Sequence, residues 1–378
     1  MPQSLDTSQF PELDMPPRIL LGPGPSTVSP RVLRVMATPL VGHLDPNFLE
    51  IMSRTQQLLR YAFQTENALT VPISGTGSAA MEASVANTIE PGDKVLIAAH
   101  GYFGLRLADM ASRYGADVET LTCPWGEVFT AETIKVALDK RPAKIVGIVH
   151  AETSTGALQP IPEIADVVHA QGGILIVDTV ASLAGVPVRV DEMDIDVCYS
   201  GSQKCLSCPP GASPITFGPR AIEILMNRKT KVANWYLDMT AIQKYWGAER
   251  TYHHTAPISS IYALYEGLRI VAEEGLENCW ARHQANAEML WTGLEDMDLA
   301  MHVVPEHRIH SLTTVRVPAG VDEAAIRSQL MADYNIEISG GLGELKGKVW
   351  RVGLMGYSSR KENVELLLAA LRRLLNRQ

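Results

Sequence analysis

The chain has 378 residues, 46% of them hydrophobic and 20% charged, with a formal net charge of -9. That length fits one large domain plus a smaller one, and the composition is globular rather than disordered or fibrous. The acidic balance argues against a nucleic-acid-binding or anionic-membrane surface, where Lys and Arg must dominate. No apolar run approaches the ~18 residues of a membrane span. The five cysteines read as free thiols of a reducing compartment. The start lacks the basic-then-apolar pattern of a secretory signal, and the end is no Ser-Lys-Leu-type tripeptide, so the cytoplasm is the expected location.

In chain order, residues 1–20 are polar and Pro-punctuated and read as an N-terminal arm. Leu21-Gly22-Pro23-Gly24-Pro25-Ser26 is too rich in Gly and Pro for helix or strand and must be a shaped turn. Apolar spacing predicts a helix over 47–63. Short continuous apolar runs follow at 95–99, 145–149, 174–177, 197–199 and 213–217, with amphipathic helical patterns at 131–138 and 161–169 between them. Such runs are strands covered on both faces, and helical crossovers between them predict an α/β domain with a mainly parallel sheet over 21–258. Helical patterns at about 258–274 and 278–297, strand-like pieces at 312–317, 336–339 and 349–352, and a last helix from about 361 to 375 predict a smaller α+β domain over 259–378.

Ligands of open α/β sheets bind beyond the carboxyl ends of the strands, so the residues just after each run are the candidates. Ser74-Gly75-Thr76-Gly77-Ser78 precedes a helical pattern, where glycines admit a close ligand and free N–H groups attract an anion. Asp178 ends the run 174–177, where a carboxylate needs a cation or strong donors; capping the next helix is its ordinary alternative. Lys204 follows 197–199 by five residues, a place where burial lowers an amine's pKa and makes it a nucleophile toward an aldehyde. Arg351 sits inside the apolar run 349–352 and offers a planar fork for a carboxylate, or a solvated head on an edge strand. Each has a bland explanation alone. Together they are an anion cradle, a carboxylate, a nucleophilic lysine and a carboxylate clamp, as pyridoxal phosphate acting on an amino acid requires.

The motifs carry a resemblance from Leu21 nearly to the C-terminus. They are Leu21–Ser26, Phe63-Gln64-Thr65, Glu152-Thr153-Ser154-Thr155-Gly156, Val177-Asp178-Thr179-Val180-Ala181-Ser182, Tyr199-Ser200-Gly201-Ser202-Gln203-Lys204, Tyr252-His253-His254-Thr255 and Arg351-Val352-Gly353-Leu354. In their order and spacing the sequence resembles the alanine–glyoxylate and serine–glyoxylate (serine–pyruvate) aminotransferases, in the class V branch of fold type I. The resemblance implies pyridoxal 5′-phosphate held as a Schiff base on Lys204, which also shuttles the proton between substrate Cα and cofactor C4′. It implies that Asp178 keeps the pyridine nitrogen protonated, that Val180 packs on the ring, and that Thr76, Gly77, Ser78 and Gln203 bind the phosphate. Thr153 falls near the ring hydroxyl, Arg351 takes the substrate carboxylate, and Gly42 lies beside the substrate. Tyr252 and Thr255 reach the phosphate of the neighbouring subunit, implying a homodimer with shared sites. Phe103 stands where some members stack a Trp on the cofactor, so stacking survives without the indole N–H.

Rival readings fare worse. Cys205-Leu206-Ser207-Cys208 has the spacing of a redox or zinc motif but no second pair, and the adjacent His253 and His254 are expected to point apart and to pack. A cysteine desulfurase needs a nucleophilic Cys on a loop of the C-terminal domain, whereas the last cysteine, Cys279, falls in a helical pattern. A nicotinamide enzyme needs G-x-G-x-x-G, and Ala80 stands at the third glycine. A kynureninase-type lyase, or donors such as aspartate or pyridoxamine, would use the same Lys204 and Asp178. The alanine or serine to glyoxylate (or pyruvate) transfer, in ping-pong fashion, is the expected reaction.

Overall fold

The computed structural model describes residues 5–376. Residues 1–4 of the predicted arm, and Arg377 and Gln378 of the C-terminal tail, lie outside them. Seven strands form the main sheet: β1 (Leu69–Gly75), β2 (Lys94–Ala99), β3 (Asp117–Thr122), β4 (Ile145–Val149), β5 (Ile174–Asp178), β6 (Val197–Tyr199) and β7 (Gly211–Phe217). Their spatial order is β1-β7-β6-β5-β4-β2-β3. Only β7 runs against its neighbours β1 and β6; the other pairings are parallel. The fold is α/β, as the continuous apolar runs imply, and β4, β5 and β6 are buried along their whole length.

Both edge strands depart from the sequence reading, which places no strand at 69–75 or 117–122. Pro72 punctuates β1, but an edge strand tolerates a residue that cannot donate. β3 carries Asp117 and Glu119 and is half-exposed, the charged edge that discourages further pairing. The predicted strand 336–339 divides in two. Ile336–Glu337 pairs in parallel with Ile19–Leu20, while Ser339–Gly340 pairs with Val349–Gly353, which also pairs with Leu312–Arg316. The chain changes partners at Ile338, whose side chain is buried in the second core.

Helices cover both cores. α1 (Pro46–Phe63) starts on Asp45, whose Oδ1 accepts the Asn47 N–H at 2.8 Å, and ends on Gln64 in the left-handed region. α2 (Gly77–Thr88) and α3 (Tyr102–Arg113) open directly after β1 and β2. Gly104 of α3 has no Cβ because one would lie 2.7 Å from Ala99 Cα, so this helix packs hard against the end of β2. α4 (Ile258–Glu274) packs in the first core, and α5 (Leu276–Glu295) leaves that core at Cys279 and Trp280 to enter the second at Leu290 and Leu294. The second core also holds Trp350, Val352 and, from far upstream, Leu21.

Leu21 is therefore an anchor: its carbonyl accepts the Gly353 N–H at 2.7 Å, and the next five residues form the Gly-Pro turn. A Cβ on Gly353 would strike the Gly22 carbonyl. Gly353→Ala should lower stability by roughly 1–3 kcal/mol, read as a lower urea midpoint, because backbone rather than a flexible side chain must move.

Candidate active site

The carboxyl ends of β1, β4, β5 and β6 share one edge of the sheet with the start of α3. They enclose a cavity of about 200 Å³. Its lining includes Thr76, Gly77, Ser78, Phe103, Thr153, Asp178, Val180, Gln203 and Lys204, together with Met81, Arg106, Val149, Ala151 and Ala181. Nine residues singled out along 129 positions of sequence thus meet in one place. A larger cleft, of about 580 Å³, lies at the opposite edge, where β1 begins and β7 ends. Its charges satisfy one another: Arg220 contacts Asp194 and Asp196 at 2.5 Å each, and His169 contacts Asp196 at 2.8 Å.

Lys204 is held from behind. Ser26 Oγ donates to the Lys204 carbonyl at 2.7 Å, and the Ser26 N–H donates to the Gln203 carbonyl at 2.8 Å. The Lys204 ammonium donates to the Pro23 carbonyl. Gly24 has a φ of +115°, and a Cβ there would lie 2.5 Å from Lys204 Nζ, so the turn needs glycine twice over. Burial brings the Lys204 amine down to about 8, with Arg351 adding to the effect and Asp178 partly opposing it. An amine in that range supplies the neutral nucleophile near neutral pH.

Asp178 is 3% exposed. Its Oδ1 accepts the Val180 N–H at 2.8 Å. Burial pushes its carboxyl up to about 7, and the Val180 N–H and the nearby Tyr199 hydroxyl only partly offset this. No cation is salt-bridged to it among the described residues. A further buried atom of the lining, Gln203 Oε1, lacks a hydrogen-bond partner in the protein. A buried carboxyl without its cation and an amide with a free face are what a polar, cationic-ringed guest would complete.

Phe103 is placed by a residue whose part the sequence reading missed. Glu152 is fully buried; its Oε2 accepts the Phe103 N–H at 3.0 Å, and its Oε1 accepts the Ser154 N–H at 2.9 Å and hydroxyl at 2.7 Å. A carboxylate at a helix start meets both free N–H groups and the positive end of the dipole. The sequence signal was a Glu just after an apolar strand. Arg106 was also missed, though it stands three residues after Phe103 and so shares its helix face.

Arg351 lies just outside the cavity lining. It is 6% exposed, with Nε donating to the Gly340 carbonyl at 2.7 Å and Nη1 to the Thr153 carbonyl at 3.1 Å. Desolvation lowers it to about 10, so it stays a cation near neutral pH. Gly42, Tyr252 and Thr255 are elsewhere. All three are exposed, the Tyr252 hydroxyl is 3.5 Å from Thr255 Oγ1, and His43 packs on the Tyr252 ring at 5.1 Å.

The histidine pair corrects one expectation. His253 and His254 do not point apart: their Nδ1 atoms are 2.7 Å apart, and His254 Nε2 reaches Ser74 Oγ at 2.6 Å. The backbone bends at His254, so the alternation of an extended strand does not apply. Burial and the neighbouring His253 lower His254 to about 4, which keeps it neutral. Cys205 and Cys208 are free and buried; burial pushes both thiols up to about 12, which leaves them protonated. Cys279 is a buried residue of α5, not a loop nucleophile. No cluster of three or more His, Cys, Asp or Glu suited to a metal occurs among the described residues, and none of their helices is long and apolar enough to cross a membrane.

A carboxyl that titrates near 7 when folded but near 3.8 when unfolded loses the protein stability as pH rises between those values, and the loss is complete above about 7. In the protein without cofactor, Asp178→Asn should therefore raise the urea midpoint more at pH about 8 than at pH about 5, since the replaced carboxyl is largely protonated in the folded chain at the lower value. A uniform change across pH would contradict the burial argument.

Comparison with known proteins agrees with this geometry. A family model described as aminotransferase class V matches residues 32–367. The (S)-ureidoglycine–glyoxylate transaminase of Bacillus subtilis is 42% identical over 97% of this chain and 92% of its own length. The alanine–glyoxylate aminotransferase of Mus musculus is 42% identical over 96% of this chain and 89% of its own. A crystal structure described as alanine–glyoxylate aminotransferase from Nostoc sp. superimposes with a TM-score of 0.96 at 56% identity, covering 98% of this chain and 100% of that one. The chain belongs to the class V aminotransferases, enzymes that work with pyridoxal 5′-phosphate on small amino and keto acids.

Proposed function

We propose that this enzyme moves the amino group of a small L-amino acid, alanine or serine, to glyoxylate or pyruvate, in two alternating half-reactions that share Lys204. The observation that carries the reading is the meeting of Lys204, Asp178 and the Thr76–Ser78 turn in one cavity, with Arg351 braced on the Thr153 carbonyl behind it. Pyridoxal 5′-phosphate, when bound, supplies an aldehyde for the amino group and a ring that withdraws electrons.

The residues present fit that group. Asp178 answers a protonated ring nitrogen, which would return its carboxyl to the ionised form. Thr76, Gly77 and Ser78 open α2 and give a phosphate N–H groups at a helix start, with the Gln203 amide adjacent. Val180 packs against Gly77, where a Cβ would lie 3.4 Å from Val180 Cγ2, and with Phe103 it walls the space for the ring. Thr153, also in the lining, would take the ring hydroxyl, and Lys204 Nζ would hold the cofactor by its aldehyde and, once free, move the proton at the substrate Cα. Arg351 grips the substrate carboxylate with its remaining N–H groups.

Tyr252 and Thr255 suit a homodimer in which each subunit reaches the phosphate of the other's site. Their exposure, beside exposed Leu40, Leu44, Trp235 and Tyr236, supports such an interface. Glyoxylate as acceptor is supported by two relatives at equal identity whose names share it, and its amination yields glycine. Their names differ in the donor, so the donor rests on the small cavity. The free, buried thiols suit the cytoplasm.

The holoenzyme should show a visible absorbance band that L-alanine or L-serine bleaches and glyoxylate restores. Tested against a panel with aspartate, ureidoglycine and pyridoxamine, the small amino acids should have the highest kcat/KM; preference for another donor overturns the donor assignment. Lys204→Ala should abolish turnover, and full turnover in that variant would refute the mechanism. Arg351→Lys should raise KM for the amino acid roughly 10-fold or more, because a point charge replaces a two-point clamp.

A further inference from the structure

Arg106 lines the same cavity and has no part in the reaction as derived. It lies one helical turn after Phe103 on α3, and its guanidinium sits 4.7 Å from the Phe103 ring centroid and 5.4 Å from that of Tyr102. Both distances are within the range of cation–π attraction, which holds the head in place. Its Nη1 donates to Ser78 Oγ at 3.3 Å. Among the described residues no carboxylate pairs with this guanidinium, which lines a cavity rather than open surface.

A guanidinium left without a counter-charge at a cavity wall is poised for an anion. Its link to Ser78 says where that anion sits. A serine hydroxyl has one proton and two lone pairs. Arg106 occupies a lone pair, which turns the proton toward another acceptor and makes it a better donor. Ser78 is the second residue of α2, so that proton adds to the N–H groups of the helix start. The rest of the cradle, Thr76, Gly77 and Gln203, is uncharged, and the helix dipole supplies only about half a positive charge. Lys204 is the other cation of the lining, and its amine is committed to the aldehyde. A phosphate dianion there would otherwise face a site with too little fixed positive charge.

We propose that Arg106 is a positioning residue for the cofactor phosphate, acting through Ser78: it orients the Ser78 hydroxyl into the cradle and supplies the fixed positive charge the cradle lacks. The inference rests on the reading of Thr76–Ser78 as the phosphate site. Its test compares two aldehydes that differ only in the phosphate. The protein freed of cofactor is titrated with pyridoxal 5′-phosphate and with pyridoxal, following tryptophan fluorescence and the visible band. Arg106→Gln should weaken pyridoxal 5′-phosphate roughly 10- to 100-fold, the range of a lost charge-assisted hydrogen bond, and leave pyridoxal unchanged. Retained pyridoxal binding shows that the variant is folded. Arg106→Lys should recover part of the loss, and Arg106→Gln should weaken phosphate binding less in a Ser78→Ala background than in the wild type. A wild type that does not prefer the phosphorylated aldehyde sinks the cradle reading and this inference with it. A wild type that does prefer it, with the preference intact in Arg106→Gln, sinks the Arg106 inference alone. An equal loss for both aldehydes also overturns it, because a structural role would act on both.

Discussion

Two ionisable groups of opposite sign, Lys204 and Asp178, are buried at the same edge of the sheet, and the rest of the site follows from how the chain tolerates that. Desolvation draws each toward its neutral form, the amine to about 8 and the carboxyl to about 7. A close ion pair between them would cancel both shifts and quench the amine. No such pair forms. The Lys204 amine is turned instead to the Pro23 carbonyl, and Asp178 is left to the Val180 N–H. The site thus keeps an amine and an acid side by side without pairing them, and on the proposed reading the cofactor would answer both.

Holding the lysine away from the carboxylate depends on a turn that belongs to both cores. Leu21 is packed in the second core, while Pro23, Gly24 and Ser26 touch the Gln203-Lys204 backbone or the lysine side chain. Arg351 comes from the strand that pairs against this same region, since Gly353 on that strand bonds the Leu21 carbonyl. Lys204 and Arg351 are therefore positioned relative to one another through one short segment, not through the length of the sheet.

How much of this could be read from the sequence follows a physical line. Strands buried on both faces announce themselves as unbroken apolar runs, and β4 and β6 have the predicted bounds. The residues at their ends were legible because the carboxyl edge is where such sheets bind. Edge strands gave no such signal: Pro72 and the charges of β3 serve edge protection and hide the strand. Helix α3 was missed because the face it buries, Gly104, Leu107, Ala108 and Ala111, is built mostly of small residues that give a weak apolar signal. Glu152 and Arg106 were silent for another reason. Each acts through a backbone or a hydroxyl that only the fold brings near, and neither residue type is unusual at its place in the chain.

Recognition of the donor's side chain is a separate task from the chemistry, and the layout shows why. On the proposed reading, each residue given a role reads a feature common to all α-amino acids or to the cofactor: Lys204 the amine, Arg351 the carboxylate, Asp178 and the Thr76–Ser78 turn the cofactor. Nothing in that set measures a side chain. On that reading discrimination falls to groups facing the substrate from outside that set, such as Gly42, which is exposed on the surface of the single chain. Substitutions at such exposed positions would alter which side chain fits without disturbing the buried lysine and carboxyl. Two relatives at equal identity to this chain carry different donors in their names, which fits a reading that assigns the two tasks to different groups.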